Sequence, residues 1–136
     1  MSALPVPEPV VDPEARPFWD GTARGELMLQ RCAACGTVSW PARRFCPNCS
    51  AGEPEWFVAA GTGEIYSFTV VRKAHGDWRE AVPYVVAYVQ LTEGPRILTN
   101  IVDSSPESIH IGQRVRAVFV RTANGYGLCR FVPVSG

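Results

Sequence analysis

The sequence predicts a mainly β protein in which a short N-terminal helical segment leads into a small metal-held ribbon and then a five-stranded barrel. Two patterns carry that expectation. Four of the five cysteines fall in two C-x-x-C pairs, Cys32-Ala-Ala-Cys35 and Cys46-Pro-Asn-Cys49. Everything after Gly63 alternates between β-branched or aromatic runs and turn residues. Size is the third observation: 136 residues with 46% hydrophobic content make one ordinary domain, or a small one with an appendage, around a packed core.

Residues 1–15 carry Pro5, Pro7, Pro9 and Pro13 among small and acidic residues, so this N-terminus is expected to be extended and flexible unless a partner orders it. Residues 16–30, RPFWDGTARGELMLQ, suit a short helical segment interrupted near Gly21 or Gly25, with Phe18, Trp19 and Leu27 on one side. Together with Met28 they offer more apolar area than so short a helix hides. Phe18 and Trp19 are therefore candidates for a partner interface, the alternative being that they pack on the ribbon or barrel. Glu26 to Arg31 alternates as a strand entering the first cysteine pair, and Val38 to Trp40 suits its hairpin mate, so the ribbon is expected over residues 27–57.

A tetrahedral metal site needs four soft donors, and each C-x-x-C turn aims two sulfurs at one point. Gly36 follows the first pair, where the turn favours a residue tolerant of positive φ, and Pro47 presets φ within the second. Cys32, Cys35, Cys46 and Cys49 are thus candidate ligands of a structural Zn²⁺, with no open position for substrate. Iron of the rubredoxin kind uses the same four thiolates, and thiolate donors do not by themselves separate the two metals. Disulfides fit less well, because MSALPVPEPVVDPEARP lacks the basic and apolar regions of a secretory signal, and a redox C-x-x-C is not expected as a pair of turns. Cys129, alone in the strand-like run GLCRFVPV, reads as a small buried hydrophobe.

Five strands are expected over residues 61–136: EIYSFTVVRK (64–73), YVVAYVQL (84–91), RILTNIV (96–102), RVRAVFVR (114–121) and GLCRFVPV (127–134). Tyr66, Phe68 and Val70 alternate on one face of the first, and Val85, Ala87, Val89 and Leu91 on one face of the second. The segment SSPESIHIG suits a turn of helix at the barrel base. That combination is the five-stranded Greek-key barrel called the OB-fold.

Thirteen basic residues balance thirteen acidic ones, which argues against a dedicated nucleic-acid binder, whose affinity comes largely from neutralised phosphates. No apolar run is long enough for a membrane span, and a cytoplasmic protein is expected. His75 and His110 are the only histidines, and neither sits beside a nucleophile and an orienting acid, so no catalytic residue is assigned. The long connection KAHGDWREAVP is the place to look for ligand contacts. Arg72, Lys73, His75 and Trp78 are candidate ligand-binding residues, combining cationic donors with a large ring of the kind that holds phosphates and stacks an adenine. The competing reading is a solvated loop with Trp78 packed on the barrel. From residue 61 onward eight basic residues face six acidic ones, a balance that suits a single phosphate-bearing ligand better than a nucleic-acid track.

These motifs, taken in order, resemble the DUF35 family. The likeness runs from about Phe18 to the end and rests on FWDGTARGELMLQRCAACG, WPARRFCPNC, Trp56, GTGEIYSFTVV, VPYVVAYVQLTEGPRILTNI and IGQRVRAVF. The family often has paired prolines before the second cysteine pair, where this chain has Pro41-Ala42-Arg43. The resemblance implies a helical segment, a rubredoxin-like zinc ribbon and a C-terminal OB-fold. It also implies an accessory subunit for acyl-CoA chemistry, working on a CoA thioester with a thiolase-like, aldolase or MaoC-type hydratase partner in lipid, steroid or polyketide metabolism. Two other classes compete: a nucleic-acid-binding ribbon and barrel, or an enzyme with its own hydratase or lyase site.

Overall fold

The computed structural model describes residues 4–134, so residues 1–3 and 135–136 of the ranges above lie outside it. Asp12 starts the first ordered element: its carboxylate accepts from the Ala15 N–H at 2.9 Å and caps a single tight turn, Pro13–Ala15, that runs into helix α1, Arg16–Ala23. The buried positions of α1 are Phe18, Gly21 and Thr22, the i, i+3, i+4 spacing of one helix face. Gly25, at φ +77°, turns the chain out of the helix.

Helix α1 sits on the barrel through Thr22. Its hydroxyl donates to the Trp19 carbonyl at 2.6 Å and accepts from the Gly127 N–H at 3.1 Å. The approach is close enough that a Cβ on residue 127 would stand 2.7 Å from the Thr22 carbonyl oxygen, so glycine is required there.

The ribbon sheet has strand order β2–β1–β3, with β1 Met28–Arg31 antiparallel to both β2 Val38–Ser39 and β3 Glu55–Val58. Ala59 then donates to the Leu27 carbonyl at 2.8 Å, tying the exit of the ribbon to its entrance. Strands β4 Thr62–Val71, β5 Tyr84–Leu91, β6 Arg96–Ile101, β7 Arg114–Arg121 and β8 Gly127–Pro133 close a barrel in the order β4–β5–β6–β8–β7. Only β6 and β8 pair in parallel, and the architecture is the OB-fold. Ile65, Val85, Ala87, Val89, Leu91, Ile97, Val115 and Phe131 fill the interior. Phe18, Leu27 and Leu29 join the same cluster, so helix, ribbon base and barrel share one core.

Three expectations need correction. Tyr66 does not share a face with Phe68 and Val70. A bulge between Ile65 and Ser67 reverses the alternation, so Ile65 points inward and Tyr66 lies exposed beneath the Arg96 guanidinium, 3.7 Å from the ring centroid. Phe18 is not available to a partner: it is 3% exposed, with its ring 4.4 Å from that of Trp40 and 5.0 Å from that of Trp19. Finally, residues 4–12 form no regular element yet are anchored to the barrel. The Glu8 carboxylate accepts from the Thr122 hydroxyl at 3.0 Å and the Asn124 N–H at 2.8 Å, and the Pro5 carbonyl accepts from Arg130. Proline content hid these polar anchors. Among the described residues no helix is long and apolar enough to cross a membrane.

Candidate functional site: a four-cysteine metal centre

The two C-x-x-C turns are copies of one another. In the first, Gly36 N–H donates to the Cys32 carbonyl at 2.8 Å and Cys32 N–H to the Thr37 carbonyl at 2.9 Å. In the second, Ser50 N–H donates to the Cys46 carbonyl at 2.9 Å and Cys46 N–H to the Ala51 carbonyl at 2.8 Å. Gly36 and Ser50 occupy the same left-handed position, at φ +78° and +68°. Glycine adopts it freely, whereas serine there carries some backbone strain.

The four Sγ atoms lie within 4.8 Å of one another, with Cys32 to Cys49 at 3.5 Å and Cys35 to Cys46 at 3.6 Å. Zinc–sulfur bonds of about 2.3 Å put the edges of an S₄ tetrahedron at about 3.8 Å, so the donor set fits the metal. Donors converge on the sulfurs as well. Thr37 Oγ1 is 3.1 Å from Cys35 Sγ, the Asn48 side-chain amide 3.6 Å from the same atom, and the Asn48 N–H 3.4 Å from Cys46 Sγ. The Thr37 hydroxyl, then its N–H, then Asn48 pull the Cys35 thiol down to about 6. At Cys49 the Ala51 N–H also pulls downward, but the neighbouring sulfurs of Cys32, Cys35 and Cys46 outweigh it and push the thiol up to about 12. Sulfurs this crowded ionise together only when a cation shares them.

Gln30 is a residue that sequence reasoning missed. Buried at 4% exposure, its side-chain amide donates to the Arg43 carbonyl at 3.0 Å while its oxygen accepts from the Arg43 N–H at 2.8 Å. This pair pins the loop between the cysteine pairs to β1. The signal was a polar residue beside the buried Leu29, legible only once Arg43 is brought opposite. Arg31, next along β1, lays its guanidinium 4.3 Å from the centre of the Phe57 ring on β3.

The other candidates are dispersed. Arg72, Lys73 and His75 are exposed in the connection after β4. Trp78 lies in the short 3-10 helix Gly76–Ala81 with its ring 5.0 Å from that of Tyr84, so it packs on the barrel. His110 is exposed, while Trp19 is half-buried with its ring 6.2 Å from that of Tyr126. Cys129 packs against the core, and desolvation pushes its thiol up to about 12, the behaviour of an inert structural cysteine.

Comparison with known proteins identifies this architecture. Residues 19–55 match the family model described as the ChsH2 rubredoxin-like zinc ribbon domain, and residues 56–120 the ChsH2 C-terminal OB-fold domain. A DUF35 domain-containing scaffold protein of Methanocaldococcus jannaschii is 45% identical over 96 residues, which cover 70% of this chain and 68% of that protein. A probable enoyl-CoA hydratase alpha subunit of Thermomonospora curvata is 40% identical over 111 residues, covering 80% of this chain but only 34% of the relative. Among solved structures, an Ltp2-ChsH2(DUF35) aldolase superposes with a TM-score of 0.83 at 35% identity, covering 93% of this chain and 98% of the other. With four thiolates in a ribbon of this type the metal is a structural zinc. The chain belongs to the DUF35 family of paired zinc ribbon and OB-fold proteins.

Proposed function

We propose that this chain is an accessory subunit of a cytoplasmic acyl-CoA-processing enzyme complex, which docks on a thiolase-like, aldolase or MaoC-type hydratase partner and helps hold its CoA-linked substrate. The observation that carries the reading is the nearly full-length likeness to the DUF35 component of an aldolase. The likeness to part of a hydratase alpha subunit points the same way. The chemistry of the chain accords with it. A metal held by Cys32, Cys35, Cys46 and Cys49 keeps no coordination position for substrate, and its two histidines stand exposed on separate loops. The helical segment, the ribbon and the barrel then act as one rigid docking body rather than as a reaction chamber.

Within this reading Arg72, Lys73 and His75 are the exposed cations that meet the phosphates of a CoA thioester, with Trp78 holding the loop against Tyr84. Trp19, half-buried at the surface of α1, is the aromatic contact to the partner protein. Affinity purification from the native host followed by mass spectrometry tests the proposal. The expected co-purifying protein is an acyl-CoA enzyme, and Trp19→Ala weakens its retention by about 2 kcal/mol while zinc and fold stay intact. Recovery of nucleic-acid-processing proteins instead, or robust turnover of acyl-CoA by the isolated chain, would overturn it.

A further inference from the structure

A cavity of about 670 Å³ opens on the outside of the barrel, and none of the four zinc-site cysteines lines it. Its walls are Leu4 and Val6 of the N-terminal segment, Pro83 ahead of β5, Val118 and Val120 on β7, and the chain that follows β6. The volume falls in the range of small-molecule sites, about 300–1,000 Å³. Two charged residues line it. Asp103 is exposed, so water screens its charge. Arg130 is 6% exposed.

The position of Arg130 is chemically unusual. It sits on the outer side of β8, between Cys129 and Phe131 that pack toward the core, and is covered by the N-terminal segment rather than by barrel interior. A guanidinium carries five N–H donors in a planar fork. The one hydrogen bond it makes among the described residues goes to a neutral acceptor, the Pro5 carbonyl, and the only ion pair among those residues is Arg24 with Glu26, elsewhere on the surface. Burial disfavours its charged form. A buried cation facing a mostly apolar cavity, with no carboxylate within ion-pair distance among the described residues, is poorly compensated, and a bidentate carboxylate is the group that matches its geometry.

We propose that this cavity binds an apolar carboxylate, gripped by Arg130, and that Leu4–Val6 is a displaceable strap whose Pro5 carbonyl holds Arg130 in its absence. The strap imitates the ligand's head group: the Pro5 carbonyl oxygen takes the place of the carboxylate on Arg130, while Leu4 and Val6 wall the space open to the hydrocarbon. Glu8 holds the strap at its far end by bonding to Thr122 and Asn124 in the β7–β8 turn, so Leu4–Val6 can move off Arg130 while that anchor stays. The site belongs to this chain and does not depend on the identity of any partner enzyme.

Isothermal titration of the full, zinc-loaded chain with decanoate tests the proposal, with 1-decanol as the neutral control. Decanoate is expected to bind saturably at one per chain and at least about tenfold more tightly than decanol, the margin of a charge-assisted hydrogen-bonded pair. Arg130→Gln should lose that tenfold while retaining zinc. If Arg130→Gln does not fold, Val118→Trp, which fills the cavity and leaves Arg130 in place, should abolish binding. Leu4→Ser with Val6→Ser weakens the strap and should tighten decanoate binding severalfold. Equal affinity for decanoate and decanol, unchanged binding after Val118→Trp, or no binding even in the strap variant would each overturn the proposal.

Discussion

Ribbon and barrel are adjacent in the chain and share a border of core residues, yet they are held together by opposite means. Between residues 32 and 54 only Cys32, Ser39 and Cys46 are buried, so the ribbon has almost no hydrocarbon interior of its own. The barrel is lined by branched aliphatic side chains from β4, β5, β6 and β7 and by the fully buried Phe131 of β8. One region concentrates its stability in four sulfurs around a point, where metal binding free energy becomes folding free energy. The other spreads it over many contacts worth little individually. The ribbon is thus all-or-none with respect to single atoms, and the barrel is graded.

The sharpest way to break that contrast is Cys46→Ser. Zinc content, measured by elemental analysis, is expected to fall from about one per chain to near zero and the ribbon to unfold, while barrel amide resonances stay dispersed. Cys129→Ser should leave the metal in place. Collapse of the barrel along with the ribbon would show that the shared border, not the metal, governs both. The complementary change is Phe131→Ala, which removes a fully buried ring and should cost about 3–5 kcal/mol in denaturant unfolding while the folded protein keeps its zinc.

A smaller effect is expected at Gln30→Ala, which strands the part-buried N–H and carbonyl of Arg43. The cost should be about 1–3 kcal/mol and should appear on the ribbon side, as faster zinc loss to a chelator. The smallest concerns the seam between the two regions. One oxygen of Glu93 accepts from the Ala60 N–H at 2.8 Å, while the other is buried without a partner. Glu93→Ala loses the first contact but relieves the second, so a change of about 1 kcal/mol or less is expected from the shift in urea midpoint.

The strands and the metal site were legible in the sequence because their signals are local. Alternation brings Val85, Ala87, Val89 and Leu91 to one face whatever lies elsewhere, and C-x-x-C spacing converges sulfurs within one turn. The features that escaped depend on residues remote in sequence or on single insertions. A one-residue bulge turns Tyr66 outward, and nothing in an alternating run marks where the extra residue falls. The second cysteine turn was legible in Pro47, but the left-handed position that Ser50 shares with Gly36 was not, because serine does not announce positive φ. Phe18 became core rather than interface because Trp40, across the ribbon, covers it. The contacts of Glu8 and Arg130 join the two ends of the chain, and no local pattern encodes them.

The closure of the barrel carries a consequence for self-association. With β4 paired to β7 and β6 to β8, the barrel offers no free edge strand, whereas the open ribbon sheet ends on β2 and on β3. β2 is only two residues long, which makes it a poor template for pairing with another chain. β3 is longer and exposes Val58. Strand-to-strand aggregation should therefore begin at β3, and loss of zinc, by freeing the neighbouring loops, is the event that opens the route.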